Sequence, residues 1–303
     1  MNVHRSGVIA FGATPTYLTQ VESIQFDPAI EMAINTGAAF DTIFAGALQS
    51  MPVLTFETRA LSTALAIVGF AGASVDPVVV YLPKLAVGGT IASGSVHTTI
   101  TLDTCCCYLQ SITASQGSEA VASFAVMPTY DGTNVPVAIA TTVANPSVTQ
   151  TSVKYTLGPL EIGTTLYNIQ DLKFNTGIQP LQIATQGEVW PRFAGVSQRT
   201  PNFTATTNDL ALIDTIMSDA AHSPLGKASA STVNIYYRLL TNRGAPVANA
   251  TTGHQKVTMT QVFFQPGQLS ASNNGVGTLS FTGHAVYDGT NAIAALATGT
   301  ITE

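Results

Sequence analysis

The chain has 303 residues, of which 46% are hydrophobic and only 9% are charged, and its formal net charge is -6. Soluble proteins usually carry about 25% charged residues, so this composition indicates a subunit whose faces are covered by neighbours and disfavours a free enzyme. The absence of a basic run disfavours a surface that grips nucleic acid, and no apolar stretch reaches the roughly 20 residues that span a bilayer.

Most segments of the chain are rich in Val, Thr, Ile, Phe and Tyr. This composition, with Gly, Pro, Asn and Ser between the segments, is typical of β strands and their turns. A short helix is predicted from about residue 59 to residue 68, with Thr58 as its N-cap and Gly69 as its C-terminal stop. Three residues form one apolar stripe along this helix: Leu61, Leu65 and Val68.

A loop rich in Gly, Ser and Ala follows at residues 86–96 and precedes His97. We expect this loop to become ordered on contact with a neighbouring subunit, through Gly88, Gly89, Ser93 and Gly94. Residues 97–109 form a predicted strand with three consecutive cysteines at 105–107. Because adjacent strand residues point to opposite faces, these cysteines are poor disulfide partners, and we interpret them as small hydrophobic residues of a buried strand.

The segment YDGTN follows a predicted strand at residues 121–130 and precedes a second strand that begins near Val135. Asp-Gly tolerates the positive φ angles of tight turns, so the segment predicts a hairpin loop between two paired strands. A calcium loop is the alternative, but the further acidic ligands of an EF-hand are missing. The segment consists of Tyr130, Asp131, Gly132, Thr133 and Asn134.

The same segment occurs a second time near the end of the chain, at Tyr287, Asp288, Gly289, Thr290 and Asn291. FAGALQSMP at residues 44–52 likewise matches FAGVSQRTP at residues 193–201. These matches keep their order along the chain, which predicts a tandem duplication with units at 1–150 and 151–303. Each unit is far longer than a solenoid or propeller repeat, so we expect each to be a whole domain.

The second unit repeats the other features of the first. Its helix is predicted after Thr207, where Asp209 lies favourably near the N-terminus and the apolar stripe is Leu210, Ile213 and Met217. A second loop at residues 242–253 precedes His254, as the first loop precedes His97. This loop supplies the remaining predicted contact residues between subunits: Asn242, Gly244, Asn249 and Gly253.

No constellation of catalytic residues stands out in either unit. His97 and His254 occupy equivalent positions at the start of a strand, and we interpret them as strand-edge or packing residues. Asp131 and Asp288 are the only carboxylates that the repeat equates, and both lie in predicted turns. The sequence contains no G-x-S-x-G elbow, no Walker A loop and no HExxH motif. We therefore predict that the chain is no enzyme and binds no cofactor or metal.

A charge-poor, β-rich chain with one helix per unit resembles a viral structural protein, and the pattern FAG…P…T…T…L before each helix is similar to that of phage tail tube proteins. The resemblance implies a mainly β fold of two tandem homologous β-sandwich or β-barrel domains, each with one short α-helix. It further implies that three duplicated chains form a ring of six equivalent domains, and that such rings stack into a conduit for DNA ejection.

The same resemblance implies where the protein is located and what it contacts. Its partners would be other copies of the chain, other tail or virion proteins, and DNA that passes without specific binding. The protein would assemble in the host cytoplasm and reside in the virion, without contact with a membrane.

Two other interpretations remain open from the sequence. Double jelly-roll coat proteins also combine two β units and trimerise into a pseudo-hexagon. An extracellular adhesin or carbohydrate-binding module would instead be a monomer that binds glycan or calcium. The helix before the middle of each unit favours the tube, because a jelly roll is expected to show eight strands.

Overall fold

The computed structural model describes residues 7–36, 42–70, 72–86, 88–149, 153–185, 187–217, 227–229, 232–241, 244–272 and 275–301. Within these residues the chain is mainly β, with several antiparallel sheets and two short helices, as the sequence predicts. We refer to the described residues up to 149 as the first half and to those from 153 as the second half.

The described part of the first half contains twelve strands and one helix. In chain order they are β1 (Ile9–Phe11), β2 (Thr16–Leu18), β3 (Val21–Asp27), β4 (Ile30–Thr36), β5 (Thr42–Ser50), β6 (Val53–Thr58), α1 (Leu61–Val68), β7 (Ala73–Val75), β8 (Val78–Leu82), β9 (His97–Leu102), β10 (Cys105–Ser115), β11 (Val121–Pro128) and β12 (Val137–Val143).

The described part of the second half also contains twelve strands and one helix. In chain order they are β13 (Lys154–Ile162), β14 (Thr165–Tyr167), β15 (Asp171–Asn175), β16 (Gln179–Ile183), β17 (Phe193–Gln198), β18 (Asn202–Thr207), α2 (Leu210–Met217), β19 (Lys227–Ser229), β20 (Val233–Leu240), β21 (His254–Met259), β22 (Gln261–Ser272), β23 (Gly275–Val286) and β24 (Ala295–Gly299).

The strands form the same arrangement in both halves. A five-stranded sheet of the first half has the order β12-β9-β8-β1-β2, and one of the second half has the order β24-β21-β20-β13-β14. Each half also has a separate two-stranded hairpin, which is β4–β5 in the first half and β16–β17 in the second. We name these the first hairpin and the second hairpin. Counted within each half, the strand orders are identical.

One ten-stranded sheet contains strands from both halves. Its order is β19-β22-β23-β18-β15-β10-β11-β6-β3, and β7 pairs with β10 beside this path. The boundary that the sequence predicts near residue 150 falls in the link between β12 and β13. The hydrogen-bonded sheet therefore continues across that boundary, through the pairing of β10 with β15.

The two faces of the ten-stranded sheet differ in polarity. One face packs against the helices and the five-stranded sheets, and it carries large side chains such as Phe56, Phe124 and Phe203. Phe56 stacks on Phe124 with ring centroids 5.3 Å apart, and Phe11 of β1 lies 6.0 Å from Phe56 across the layers. Burial of these apolar side chains is the main driving force for this layered fold.

The opposite face of the sheet is polar along much of its width. A row of side chains is brought together by the strand register and consists of Ser23, Glu57, Ser123, Ser111, Asn175, Asn202 and His284. In each strand these residues alternate with the buried apolar ones, as the two-residue period of a strand requires. We refer to this surface as the polar face.

Both helices are eight residues long, and their buried stripes differ. In α1 the predicted stripe is confirmed, and Gly69 closes the helix by donating its N–H to Leu65 O. The predicted N-cap is wrong: the cap position is Ala60, and the Thr58 hydroxyl instead accepts from the Ala60 N–H and donates to Gln20 O. The helix starts two residues later than predicted.

The predicted stripe of α2 is partly wrong. Leu212, Ile213 and Ile216 are buried, whereas Leu210 is 74% exposed. The helix is therefore rotated about its axis relative to the orientation expected from the alignment. Asp209 does lie at the N-terminus, where its carboxylate accepts from the Ala211 N–H.

Two predictions about strand pairing need correction. The predicted strand at 97–109 is broken at residues 103–104, so it is two strands in different sheets. The YDGTN segments are not hairpin loops. β12 pairs with β9 rather than with β11, and β24 pairs with β21 rather than with β23. Each YDGTN segment therefore crosses from the large sheet to a five-stranded sheet.

Candidate assembly interface

One edge of β10 joins the two halves of the chain. β10 pairs with β11 along one edge, and its other edge pairs with β7 at residues 105–107 and with β15 at residues 111–115. In the pairing with β15, Ile112 lies opposite Phe174 and Ala114 lies opposite Leu172, and all four side chains are buried. This β10–β15 joint thus continues both the sheet and its apolar core from one half into the other.

The turn between β10 and β11 adds a second set of contacts to the joint. The Gln116 N–H donates to Gln170 O, and the Ala120 N–H donates to Tyr155 O. The turn is therefore held between β13 and β15 of the second half. Backbone hydrogen bonds of this kind fix the position of one half relative to the other.

A group of charged side chains bridges the halves at the same turn. Glu119 accepts from Lys154 Nζ at 2.5 Å and from Arg59 Nη1 at 2.9 Å, and Arg59 also donates to Glu22. Partial burial works to raise the pKa of Glu119, but the hydrogen bonds from Lys154 and Arg59 outweigh it and lower that pKa below its usual 4.5. The Glu22 and Glu119 carboxylates in turn raise the pKa of Arg59.

We expect Glu119→Gln to reduce the acid sensitivity of the fold. A carboxylate with a lowered pKa in the folded state stabilises the protein above its unfolded pKa, and this stabilisation is lost as the pH falls through the folded pKa. The wild-type melting temperature should therefore drop more steeply below about pH 4.5 than that of the variant. Thermal unfolding followed by circular dichroism from pH 7 to pH 3 measures this, and parallel curves would contradict it.

The second hairpin covers part of the polar face of the first half. Ile178 and Ala194 pack against a small cluster that includes Tyr108 and Met127, which are only 4% and 1% exposed. Thr176, just before the hairpin, donates its hydroxyl to Leu109 O at 2.7 Å. The second hairpin therefore covers the sheet surface of the first half next to the β10–β15 joint.

The segment between the strands of the second hairpin contacts the first YDGTN segment. The Tyr130 N–H donates to Pro191 O at 2.8 Å, and the Arg192 guanidinium lies 4.6 Å from the centre of the Tyr130 ring. Glu188 accepts two hydrogen bonds from Arg192, and these bonds raise the pKa of Arg192. Tyr130 is thus part of the joint between the halves.

The two YDGTN segments have the same internal structure. Asp131 accepts from the Asn134 and Thr133 N–H groups and from the Asn134 side-chain amide, and these bonds lower its pKa. Asp288 accepts the equivalent three bonds from Thr290 and Asn291, with the same effect on its pKa. Their carboxylates therefore stabilise the turns. Among the described residues no group of three or more His, Cys, Asp and Glu side chains could hold a metal ion.

The surroundings of the two YDGTN segments differ. Tyr130 is covered by Arg192 and the second hairpin, whereas Tyr287 is 61% exposed. The structure therefore does not bring the ten YDGTN residues together: one segment lies at the joint between the halves and the other at the far end of the large sheet. Their shared feature is an equivalent position in the two halves.

Two edges of the large sheet lack strand partners within the described part of the chain. β3 pairs with β6 on one side only, and β22 pairs with β23 along its length but with β19 only at residues 262–264. In β22, the segment 268–272 corresponds to the part of β10 that pairs with β15. Leu269 on this segment is 53% exposed, while the corresponding Ile112 is fully buried.

The predicted contact loops have hydrogen-bonded backbone, and Asn249 of the second loop lines the same cavity as Gln116 of the turn between β10 and β11. In the first loop the Ala86 N–H donates to Thr90 O, and in the second Asn249 O accepts from the Ile301 N–H. The glycines at 88, 89, 94, 244 and 253 have positive φ angles, which glycine adopts without steric cost. Ser93 is exposed, and Asn242 lies outside the described residues.

His97, His254 and the three cysteines have structural roles in this fold. His97 and His254 are buried, and each accepts a backbone N–H through Nδ1, from Lys84 and Leu239 respectively, so they anchor the starts of the two loops. They are packing residues, as predicted. The three cysteines are free thiols, of which 105 and 107 are buried and 106 is half-buried. Burial raises the pKa of all three thiols, so they are poor nucleophiles.

The residues that matter most at the joint were not identified from the sequence. Arg192 and Ile178 belong to no recognisable sequence motif. Their contacts with the first half are visible only in the folded second hairpin. Leu269 had a usable signal, because it aligns with Ile112 in the repeat. The sequence alone did not show that the strands containing these residues would join the halves.

Comparisons with known proteins do not assign a family to this chain. No protein-family model matches it, and no curated protein matches it at a significant level. In the described residues, no helix is long and apolar enough to cross a membrane.

Proposed function

We propose that the chain is a structural subunit of a virion, a tail tube protein that assembles into rings and stacks into a conduit for DNA. One observation carries the proposal: the two halves are joined head to tail through a sheet pairing, and the same two edges are left unpaired at the ends of the large sheet. A repeated head-to-tail contact forms a ring when the rotation closes and an open helical filament when it does not. In the simplest closed form, three chains supply six equivalent halves.

The β10–β15 joint supplies the register of the contact between chains. If β3 of one chain joins β22 of the next in the same way, Leu269 lies opposite Phe26 and Ala271 lies opposite Ile24. Both pairs are apolar, like Ile112 with Phe174 and Ala114 with Leu172 in the joint itself. Unpaired edges are aggregation-prone in a free protein, and ring closure would cover the open edges of both β3 and β22.

The polar face suits the lining of a conduit. Its central row contains hydroxyl and amide side chains, the imidazole of His284 and a single carboxylate, Glu57. The chain as a whole has a net charge of -6. A weakly negative, neutral-polar lining repels phosphate groups slightly and offers few cations to bind them, so passing DNA would not adhere.

The two rival functions make different predictions for the same protein. A double jelly-roll coat protein would close a pair of sheets within each unit, whereas here one sheet runs through both halves. An adhesin or carbohydrate-binding module would be a monomer. Electron microscopy of the purified chain distinguishes them: stacked rings with a lumen support the tube, flat hexagonal facets support the coat protein, and isolated particles support the monomer.

A disulfide across the proposed contact tests its register. The polar-face residues Gln25 and Ser270 would lie opposite each other, as Thr113 and Lys173 do within the chain. We expect the double variant Gln25→Cys, Ser270→Cys to form disulfides between chains under mild oxidation. On a non-reducing gel the products should end at a closed three-chain species.

Two controls make this test specific. Thr113→Cys with Lys173→Cys is the positive control, since it should form the equivalent disulfide within one chain. Ile24→Cys with Ser270→Cys is the negative control, because neighbouring residues of β3 point to opposite faces. Equal cross-linking by the Gln25 and Ile24 variants would contradict the register, and an absence of interchain disulfides would contradict the head-to-tail ring.

A further inference from the structure

Exposed large apolar side chains occur at several places in the described chain, including Leu181, Ile183 and Phe193 of the second hairpin, and two groupings of them bear on assembly. The first hairpin carries four large apolar side chains that are each more than half exposed: Ile30, Met32, Ile34 and Leu48. The far end of the large sheet carries three more, on β22, on β23 and in the second YDGTN segment: Phe263, Val286 and Tyr287, which are 36%, 43% and 61% exposed. Exposed apolar groupings of this kind mark interaction surfaces.

These two surfaces correspond to surfaces that are already in contact within the chain. The first hairpin corresponds to the second hairpin, and Ile30 aligns with Ile178, which packs against the Tyr108 cluster. Ala29 and Gly177, each just before its hairpin, both have positive φ angles, of 41° and 59°. The two hairpins therefore leave the large sheet through similar backbone bends.

The receiving surface corresponds in the same way. Phe263 aligns with Cys106, and both lie on the polar side of the large sheet. Phe263 is in β22, which pairs with β23, and Cys106 is in β10, which pairs with β11. Tyr287 aligns with Tyr130, which the second hairpin covers through Pro191 and Arg192. Within the chain this surface is buried under a hairpin, whereas at the far end it faces solvent.

We infer that the first hairpin of one chain docks onto the surface around Phe263, Val286 and Tyr287 of a second copy of this chain. The contact would cover the polar side of the large sheet beside the β3–β22 edge pairing, as the second hairpin does beside the β10–β15 joint. This inference rests on the proposed head-to-tail ring, and it adds a second, side-chain-mediated contact to the edge pairing.

The two docking contacts would differ in chemistry. Arg192 and Glu188 fix the second hairpin to the first YDGTN segment, but the residues aligned with them in the sequence are Ile43 and Ala39. The receiving surface also carries His284 where the first half has Met127. The contact between chains would thus lack the Arg–Glu pair and depend on the apolar side chains of the first hairpin.

Thiol labelling tests the docking contact separately from ring formation. Met32→Cys is introduced in a Cys106→Ser background, because Cys105 and Cys107 are buried. Free and assembled fractions are separated by size and treated with a maleimide-linked polyethylene glycol. We expect labelling at position 32 to be at least about tenfold slower in the assembled fraction. Leu210→Cys, on the helix at the opposite side of the sheet, should label equally fast in both fractions.

A receiving-side variant identifies what covers the hairpin. Tyr287→Asp changes a side chain that is largely exposed in the free chain, so the variant should fold. Restored labelling at position 32, or loss of assembly from a folded chain, supports the contact. If position 32 stays protected from labelling in this variant, or is labelled rapidly in intact rings, the docking contact is contradicted but the proposed ring is not. Failure of the unmodified chain to assemble overturns the proposed function itself.

Discussion

We expect Leu269→Lys to prevent assembly while leaving the single chain folded. Leu269 is 53% exposed in the free chain, so a lysine there has access to water. In the proposed ring this position would be as buried as Ile112, which is 0% exposed. An unpaired charge at a buried contact costs about 3 kcal/mol or more, so association should weaken at least about 100-fold. Analytical ultracentrifugation over a range of protein concentrations measures the change.

Two matched variants define how that result is interpreted. Leu269→Ile places the residue of the first half at the corresponding position, and it should assemble normally. Leu210→Lys adds the same charge at an exposed helix position on the other side of the large sheet, and it should also assemble. Normal assembly of Leu269→Lys would show that residues 268–272 do not pair with another chain. If the Leu269→Lys chain does not fold, Leu269 is needed for the stability of the single chain rather than for contact between chains.

We expect Gly283→Val to destabilise the second half strongly. A Cβ atom on Gly283 would lie 2.2 Å from Cε1 of Phe203, its partner on the adjacent strand. Phe203 is fully buried and its ring packs edge-on against Phe264 and Phe281, so it has little room to move. Overpacking of a core costs about 1–3 kcal/mol and occasionally more. Chemical denaturation of the single chain measures the loss.

A second substitution should relieve the clash. The corresponding cross-strand pair in the first half is Leu54 with Val126, which are both fully buried. Gly283→Val combined with Phe203→Leu would recreate that pair in the second half. We expect the double variant to recover about 1 kcal/mol or more of the stability lost in Gly283→Val, as residues in contact commonly couple by that amount. Strictly additive losses would show that the two positions are not packed against each other.

The repeated motifs were a good guide to elements and a poor guide to pairing. The strand-forming composition of segments such as 121–128 is a local property, and the strand it predicts is present. The partner of β12 is set by contacts far along the chain, and YDGTN is equally compatible with a hairpin or a crossover. The prediction of a hairpin failed because turn chemistry fixes only the local backbone conformation.

The helices illustrate the same division between local and tertiary effects. Gly69 was predicted as the stop of α1 because a positive φ angle favours glycine there, and the structure has it at 67°. The stripe of α2 was misassigned at Leu210, since an alignment to α1 assumes that both helices are rotated alike. The buried residues differ between α1 and α2, although the two helices contact the equivalent strands β10 and β22, so tertiary packing sets the rotation of each helix.

A mainly β chain with few charged residues, short helices and a repeated order of motifs can be predicted from the sequence. These properties follow from composition and from periodicity over a few residues, which act through local conformational preferences. The pairing of strand edges could not be predicted in this way. Edge pairing joins residues such as Ile112 and Phe174, which are distant in sequence, and its register depends on the packing of both halves. The candidate assembly interface is therefore a property of the folded sheet.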